Sequence, residues 1–411
     1  MSSRPYRTPL EILRTKNYVS VIEGDPGIGK TTLALASALE SENVTYISYN
    51  ESKESLLSKA KNLIGKDLKN LEILRMLSGN QQVAFSEILA SLEKGNIVIL
   101  DSVNAFLWTE SGVNAERALM QLVYEASKLR KGSLILISEG SQNELGTIRY
   151  IADAYIKLEK EEVLGLNARK ITVIKDRDYP VSVYPFYYTF YNGLKLFEAS
   201  YSFSIFYDLL KNKVKEWERP FSSSIINEPD ITLYVMDSSV NASFSKMYRY
   251  WLAADYLAKK HSVVYLTRPD EDAFAVKEIL KKMSISEEGL TVIGAKGNLE
   301  EDLLTISNFK NTIIIADLIT WENEAISTPS EYEFTLKRLV ETIVKRNSST
   351  ILFSYNNYTG LNTVKKYAAR ERWFFEKETH LFLRTLKPPG ALYYVKLENT
   401  PEPELKLYIM T

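Results

Sequence analysis

A chain of 411 residues exceeds what one ordinary hydrophobic core organises, so two domains of about 200 residues each are expected. Its composition, 45% hydrophobic and 25% charged, is that of a folded protein, and a net charge of −1 gives no global basic footprint for nucleic acid or an anionic surface. With no cysteine, disulfides, thiolate metal sites and cysteine nucleophiles are excluded; with no run approaching 18 apolar residues, the chain reads as cytoplasmic, with no membrane insertion.

In chain order, the first half alternates short apolar runs with amphipathic segments. "YVSVIEG", "VTYISY", "LEILRML", "NIVILDSV" and "SLILISEG" read as strands, and "TTLALASALE" and "AERALMQLVYEASKLRK" as helices. Continuous Val/Ile/Leu runs separated by helices imply a mostly parallel sheet covered on both faces. After Ala154 the pattern turns to strand upon strand, "AYIKLEKEEV", "RKITVIKD" and "YTFYNGLKLF", an expected antiparallel extension. A polar stretch, "KNKVKEWERPFSSSIINEPD", then reads as a joint. Beyond it the order repeats with "ITLYVMD", "SVVYLT", "LTVIGA", "NTIIIADLI" and "STILFSY", followed by "HLFLRTL", "ALYYVKLE" and "ELKLYIM". Asp317 lies 216 residues after Asp101, Tyr265 lies 219 after Tyr46, and Ser354 lies 216 after Ser138. Near-constant offsets mark an internal duplication. The expected boundaries are a first domain at 1–205, a linker at 206–229 and a second domain at 230–411.

One motif carries chemistry without a mismatch. "GDPGIGKT", Gly24 to Thr31, fits the phosphate-loop pattern G-x-x-x-x-G-K-[ST] between a strand and a helix. Its residues Gly24, Asp25, Pro26, Gly27, Ile28, Gly29, Lys30, Thr31 and Thr32 are the expected nucleotide-binding set. Glycines let backbone N–H groups turn inward around phosphate oxygens, Lys30 reaches the β- and γ-phosphates, and the Thr31 hydroxyl binds Mg²⁺. Asp101, closing "NIVILD", is the expected second metal residue, holding the ion through water.

Together "VIEGDPGIGKTTLALASAL", "VTYISYNES", "IVILDSV", "GTIRYIADAYIKLE" and "RKITVIKDRDYP" through "YPFYYTFYNGLKLF" resemble the RecA-type ATPases, within them the archaeal KaiC/RadA-like group. The resemblance covers about residues 10 to 200 and implies two tandem RecA-like α/β domains, ATP and Mg²⁺ as cofactors, and a homo-oligomer, a ring (possible hexamer) or a filament, with its ATP site between subunits. In that family the strand of "YISYNES" ends in two glutamates, the first being the general base. Here the positions read Asn50 and Glu51. Asparagine can place a water but not take its proton, so Glu51 is the candidate base if the chain has turned; otherwise it simply opens a helix. Lys175 and Arg177 match the family's K-x-R pair, which reaches a neighbour's phosphates; the other reading is a solvated strand end. Ser138 and Glu139 stand where the family senses the γ-phosphate, or at an ordinary turn.

The second half reads "VMDSSVNASFSKMYRY" at the corresponding loop, without glycine and with Lys246 displaced. Asp317 keeps its strand-end position, and "VKLEN" puts Glu398 at the expected finger position. One nucleotide site per chain is therefore expected. His261 and His380 fall outside every motif, and the aromatic "RWFFEKE" reads as packing rather than base stacking. The leading expectation is a slow or conditional ATPase acting as a nucleotide-gated regulator or scaffold, its second domain contacting a protein partner. The alternatives are a RadA-like DNA-repair ATPase, which binds DNA, and a structural interaction protein.

Overall fold

In the computed structural model the described residues are 5–38, 43–49, 51–64, 71–76, 81–107, 113–129, 131–139, 146–199, 229–283, 288–398 and 404–410. The chain divides into two compact units at Ala199. The expected linker, 206–229, lies almost wholly outside the described residues.

The first unit is one nine-stranded sheet. Its strands are β1 (Val19–Gly24), β2 (Val44–Ser48), β3 (Leu71–Arg75), β4 (Ile97–Asp101), β5 (Ser133–Glu139), β6 (Ala154–Val163), β7 (Leu166–Asp176), β8 (Phe186–Thr189) and β9 (Lys195–Phe197). They lie in the order β3-β2-β4-β5-β1-β6-β7-β8-β9. All pairings from β3 to β6 are parallel, and those from β6 to β9 antiparallel. The strand period of two explains why the parallel runs are apolar throughout. On one face Val19, Val21, Ile47, Val98, Leu100 and Leu134 join a buried cluster. On the other face Ile22, Tyr46, Ile99 and Ile135 join a second one. The helix Lys30–Ala38 covers the second face with Leu33 and Leu35, and the helices Gln81–Glu93 and Val113–Leu129 cover the first with Ile88 and Leu122. Each fully buried Val, Leu or Ile contributes roughly 1.5–3 kcal/mol.

The second unit repeats this plan with β10 (Ile231–Met236), β11 (Ser262–Thr267), β12 (Leu290–Gly294), β13 (Thr312–Asp317), β14 (Ser349–Tyr355), β15 (Arg370–Lys377), β16 (His380–Lys387), β17 (Leu392–Glu398) and β18 (Glu404–Ile409). The order β12-β11-β13-β14-β10-β15-β16-β17-β18 is that of the first sheet, position for position. The chain is thus two tandem RecA-like α/β folds, each with a C-terminal antiparallel extension. Among the described residues no helix is long and apolar enough to cross a membrane.

Three details correct the sequence reading. "YTFYNGLKLF" is not one strand: Asn192 and Gly193, at φ 55° and 93°, turn the chain between β8 and β9, as Asn-Gly does in tight hairpins. β15 has no counterpart in the sequence reading; it is "RWFFEKE" itself, with Phe374 fully buried against Tyr234. Finally, Glu398 does not occupy the finger position. Lys175 pairs with Tyr155 on β6, whereas the matching register of β15 and β16 pairs Glu371 with Lys387. Glu398 lies one strand further on, opposite Glu404.

Candidate functional site

The phosphate loop leaves β1 at its C-terminal end and enters the helix Lys30–Ala38. Gly27 and Gly29 have φ of 75° and 111°, conformations costly for any residue with a Cβ. A Cβ on Gly29 would also lie 2.4 Å from the Phe190 ring. Tyr188, on β8, donates its hydroxyl to Ile28 O at 2.6 Å and so ties the loop to the antiparallel extension. Removing that hydroxyl leaves a buried carbonyl without this donor. Tyr188→Phe is therefore expected to cost about 1–2 kcal/mol in urea unfolding, and a change below about 0.3 kcal/mol would show that the loop is held otherwise.

Lys30 is 6% exposed, and its Nζ donates to Gly24 O at 2.7 Å and Asp25 O at 3.0 Å. Burial lowers its pKa, against the opposing pull of Glu139, Asp101 and Asp25. The ammonium is curled over a loop shaped for oxyanions. Thr31 Oγ1 donates to Asp101 Oδ2 at 2.7 Å, so a hydroxyl and a carboxylate meet where β4 ends. That hard-oxygen pair suits Mg²⁺, which keeps waters and takes its remaining ligands from phosphate. Loop, cation and oxygen pair thus fit a magnesium nucleotide. They line a cavity of about 540 Å³ together with Ser48, Glu51, Lys59, Glu139, Arg169 and Phe190.

Asn50 lies outside the described residues. Glu51 does not continue β2. Its backbone N–H donates to Ser48 Oγ at 2.8 Å, and Ser52 then caps the helix Lys53–Lys59 by accepting from Ser55 N. The chain has turned by this point, and the Glu51 carboxylate lines the cavity, where it is ion-paired with Lys59. Ser138 is fully buried, and Glu139 lines the cavity. Asn104 clamps the end of β5 here, accepting from Glu139 N at 2.7 Å and donating to Glu139 O at 3.2 Å.

Lys175 and Arg177 stand apart from all of this. Lys175 Nζ donates to Tyr150 O and Ala152 O at 2.5 and 2.6 Å, and Arg177 Nη2 donates to Ile151 O at 2.8 Å. Arg177 also pairs with Asp153. Arg177 is level with the start of β1, because its N–H bonds to Asp153 O and Asp153 N bonds to Val19 O. The phosphate loop begins five residues along that strand, roughly 17 Å away at 3.3 Å per residue. The pair therefore does not reach the loop of its own chain.

Sequence reasoning missed Arg169, Phe190, Tyr191 and Lys59 as cavity residues. Arg169 stacks its guanidinium over Phe190, 5.4 Å from the ring centroid. The one available signal was the Asn-Gly turn, which puts Phe190 and Tyr191 in a hairpin loop beside the phosphate loop.

The second unit is built differently at the equivalent place. The loop after β10 runs from Asp237 to Asn241, which caps the helix Ala242–Ala258 by accepting from Ser243 N at 2.8 Å. Lys246 is already on the second turn of this helix, 4.0 Å from Glu271. Arg249, one turn further on, donates to Asp317 at 2.9 Å and to Glu271 at 3.0 Å. A buried guanidinium thus covers the strand-end carboxylate that in the first unit faces the cavity. His380 is buried and bonds the Tyr394 hydroxyl at 3.0 Å through Nδ1.

The KaiC ATPase family model matches residues 14–200. Among solved structures, a KaiC-like protein of the hyperthermophilic archaeon Pyrococcus horikoshii OT3 is similar at 16% identity and a TM-score of 0.40, over 44% of this chain and 90% of that one. No curated protein matches the chain. Phosphate loop, strand-end Asp101 and sheet order all fall within the matched residues, and residues 14–200 are a KaiC-like P-loop ATPase domain.

Proposed function

We propose that the first unit binds Mg-ATP and hydrolyses it slowly or only on assembly, and that the protein acts as an oligomeric, nucleotide-gated regulator or scaffold. The observation that carries this reading is the contrast between two like folds. One keeps Lys30, Thr31 and Asp101 around an open cavity; the other has filled its site with Arg249. A fold retained without its site is better suited to contacts than to chemistry, so the second unit is the proposed surface for a protein partner.

Within the first unit, the loop N–H groups and Lys30 hold the phosphates, and Thr31 and Asp101 hold the metal. The ion, when bound, neutralises phosphate charge and polarises the γ-phosphoryl group. Glu51 is the proposed base, drawing a proton from water once Lys59 releases its carboxylate. Lys175 and Arg177, too far from their own loop, are proposed to serve the site of the next copy in a ring or filament, adding positive charge at the γ-phosphate.

The test is ATP turnover measured over a range of protein concentrations. Turnover per chain is expected to rise with concentration, and Glu51→Gln is expected to lower it by about 10²–10⁴-fold with ATP affinity unchanged. Constant turnover per chain would exclude a site shared between subunits. Equal turnover in Glu51→Gln would remove Glu51 as the base.

A further inference from the structure

We infer that Tyr46 is a positioning residue for Asp101, setting the carboxylate that holds magnesium; this rests on the Mg-ATP reading of the first unit. Tyr46 sits in the middle of β2, fully buried and paired with Ile99 of β4. Its hydroxyl reaches the end of the neighbouring strand and donates to Asp101 Oδ2. The same oxygen accepts from Thr31 Oγ1. A carboxylate at a strand end has two free torsions, and two donors converging on one oxygen hold it in a single orientation. The Thr31 hydroxyl keeps lone pairs for a cation while it donates. Tyr46, buried in the sheet, has no such second duty, so its donation is the part of the arrangement that stays constant.

The second unit supplies an internal comparison. Tyr265 occupies the same place on β11, fully buried and paired with Ile315 of β13. There Asp317 Oδ2 is taken by Arg249, and among the described residues the Tyr265 hydroxyl makes no hydrogen bond. Both rings fill the core, but the hydroxyl–carboxylate contact occurs only beside the intact phosphate loop. The ring is therefore a packing element of the fold, and the hydroxyl belongs to the site. Partners of this kind, one step behind a metal ligand, typically set 10–100-fold in metal affinity.

The experiment is a Mg²⁺ titration of the full-length protein in the presence of a fluorescent, non-hydrolysable ATP analogue, with analogue binding in EDTA as reference. Tyr46→Phe keeps the ring and removes only the oxygen; Tyr265→Phe removes the same oxygen from the second unit. The Mg²⁺ half-saturation is expected to rise about tenfold in Tyr46→Phe, with analogue affinity in EDTA close to wild type and the protein fully folded under the conditions of the titration. Tyr265→Phe is expected to leave the Mg²⁺ dependence unchanged. The inference is overturned if Tyr46→Phe titrates like wild type, or if it weakens the analogue equally with and without Mg²⁺, since the hydroxyl would then act through the fold alone. Failure of the wild-type protein to bind the analogue at all overturns the Mg-ATP reading itself and this inference with it.

Discussion

Lys30→Ala is expected to reduce ATP affinity by on the order of a hundredfold or more while leaving the fold intact. The ammonium is 6% exposed, and burial has already lowered its pKa. Two backbone carbonyls offset part of that desolvation, but a neutral dipole stabilises a buried cation less than a polyphosphate does. Truncating one partner of a buried charged pair typically costs 2–5 kcal/mol of binding, because the other charge is left uncompensated. The folded protein loses much less. Without nucleotide the side chain contributes two bonds to carbonyls and carries a desolvation penalty, terms of about 1 kcal/mol each that oppose one another. Titration with a fluorescent ATP analogue, beside urea unfolding of the same samples, separates the two effects. Affinity within threefold of wild type would mean that phosphate is not held at this loop.

Arg249→Met is expected to destabilise the second unit by about 3–5 kcal/mol. Arg249 is 1% exposed, and its two partners, Asp317 and Glu271, have side chains 0% and 3% exposed. Methionine fills similar volume, so the cost arises not from a cavity but from two buried carboxylates left with only the more distant cations, Arg268 at 4.0 Å from Asp317 and Lys246 at 4.0 Å from Glu271. Burial already raises the pKa of Asp317, with Arg249 pulling it back down. Removing the guanidinium releases that opposing pull and raises the folded-state pKa further. A carboxylate with a raised folded pKa favours the folded state when protonated and opposes it when ionised. The deficit of Arg249→Met relative to wild type should therefore shrink as pH falls and widen as pH rises through the shifted titration. Trp251, Trp321 and Trp373, three of the five tryptophans, lie in this unit and Trp108 in the other, so tryptophan fluorescence during urea unfolding is weighted toward the second unit. Adding Asp317→Asn and Glu271→Gln to Arg249→Met is expected to recover part of the loss, because neutral amides are cheaper to bury than charges. A loss below 1 kcal/mol, independent of pH, would mean that the triad is not closed in solution.

The two strand-end carboxylates show how differently a duplicated fold can treat one position. Asp101 and Asp317 both close the third strand of their sheet order, and both are surrounded by cations or donors. In the first unit the loop cation, Lys30, is turned toward the loop carbonyls and lines a cavity. In the second, Arg249 comes from further along the helix and saturates the carboxylate from within the protein. The first arrangement leaves its carboxylate facing an open cavity; the second completes itself.

What was legible in the sequence is what neighbouring residues along the chain decide. Buried strands declare themselves by period and β-branched content, so all ten parallel-core runs from "YVSVIEG" to "STILFSY" became strands. The phosphate loop is legible because its glycines, lysine and threonine act within eight consecutive residues, through backbone torsions and a helix start. Asp101 and Asp317 are legible as the ends of apolar runs, and the near-constant offset between the halves follows from the same local patterns.

Tertiary structure alone decided the contacts that cross the sheet. Phe190 and Arg169 enter the site because β7 and β8 fold back along β6, which runs beside β1. Tyr46 meets Asp101 through the β2–β4 pairing, and Arg249 meets Asp317 across 68 residues. The separation of Lys175 and Arg177 from their own phosphate loop also follows from register, since β7 ends beside the start of β1 rather than its end. Strand register is set by packing of whole faces against helices, not by any single residue. A one-residue slip moves every side chain to the other face, so local pattern identifies a strand without naming the residue opposite.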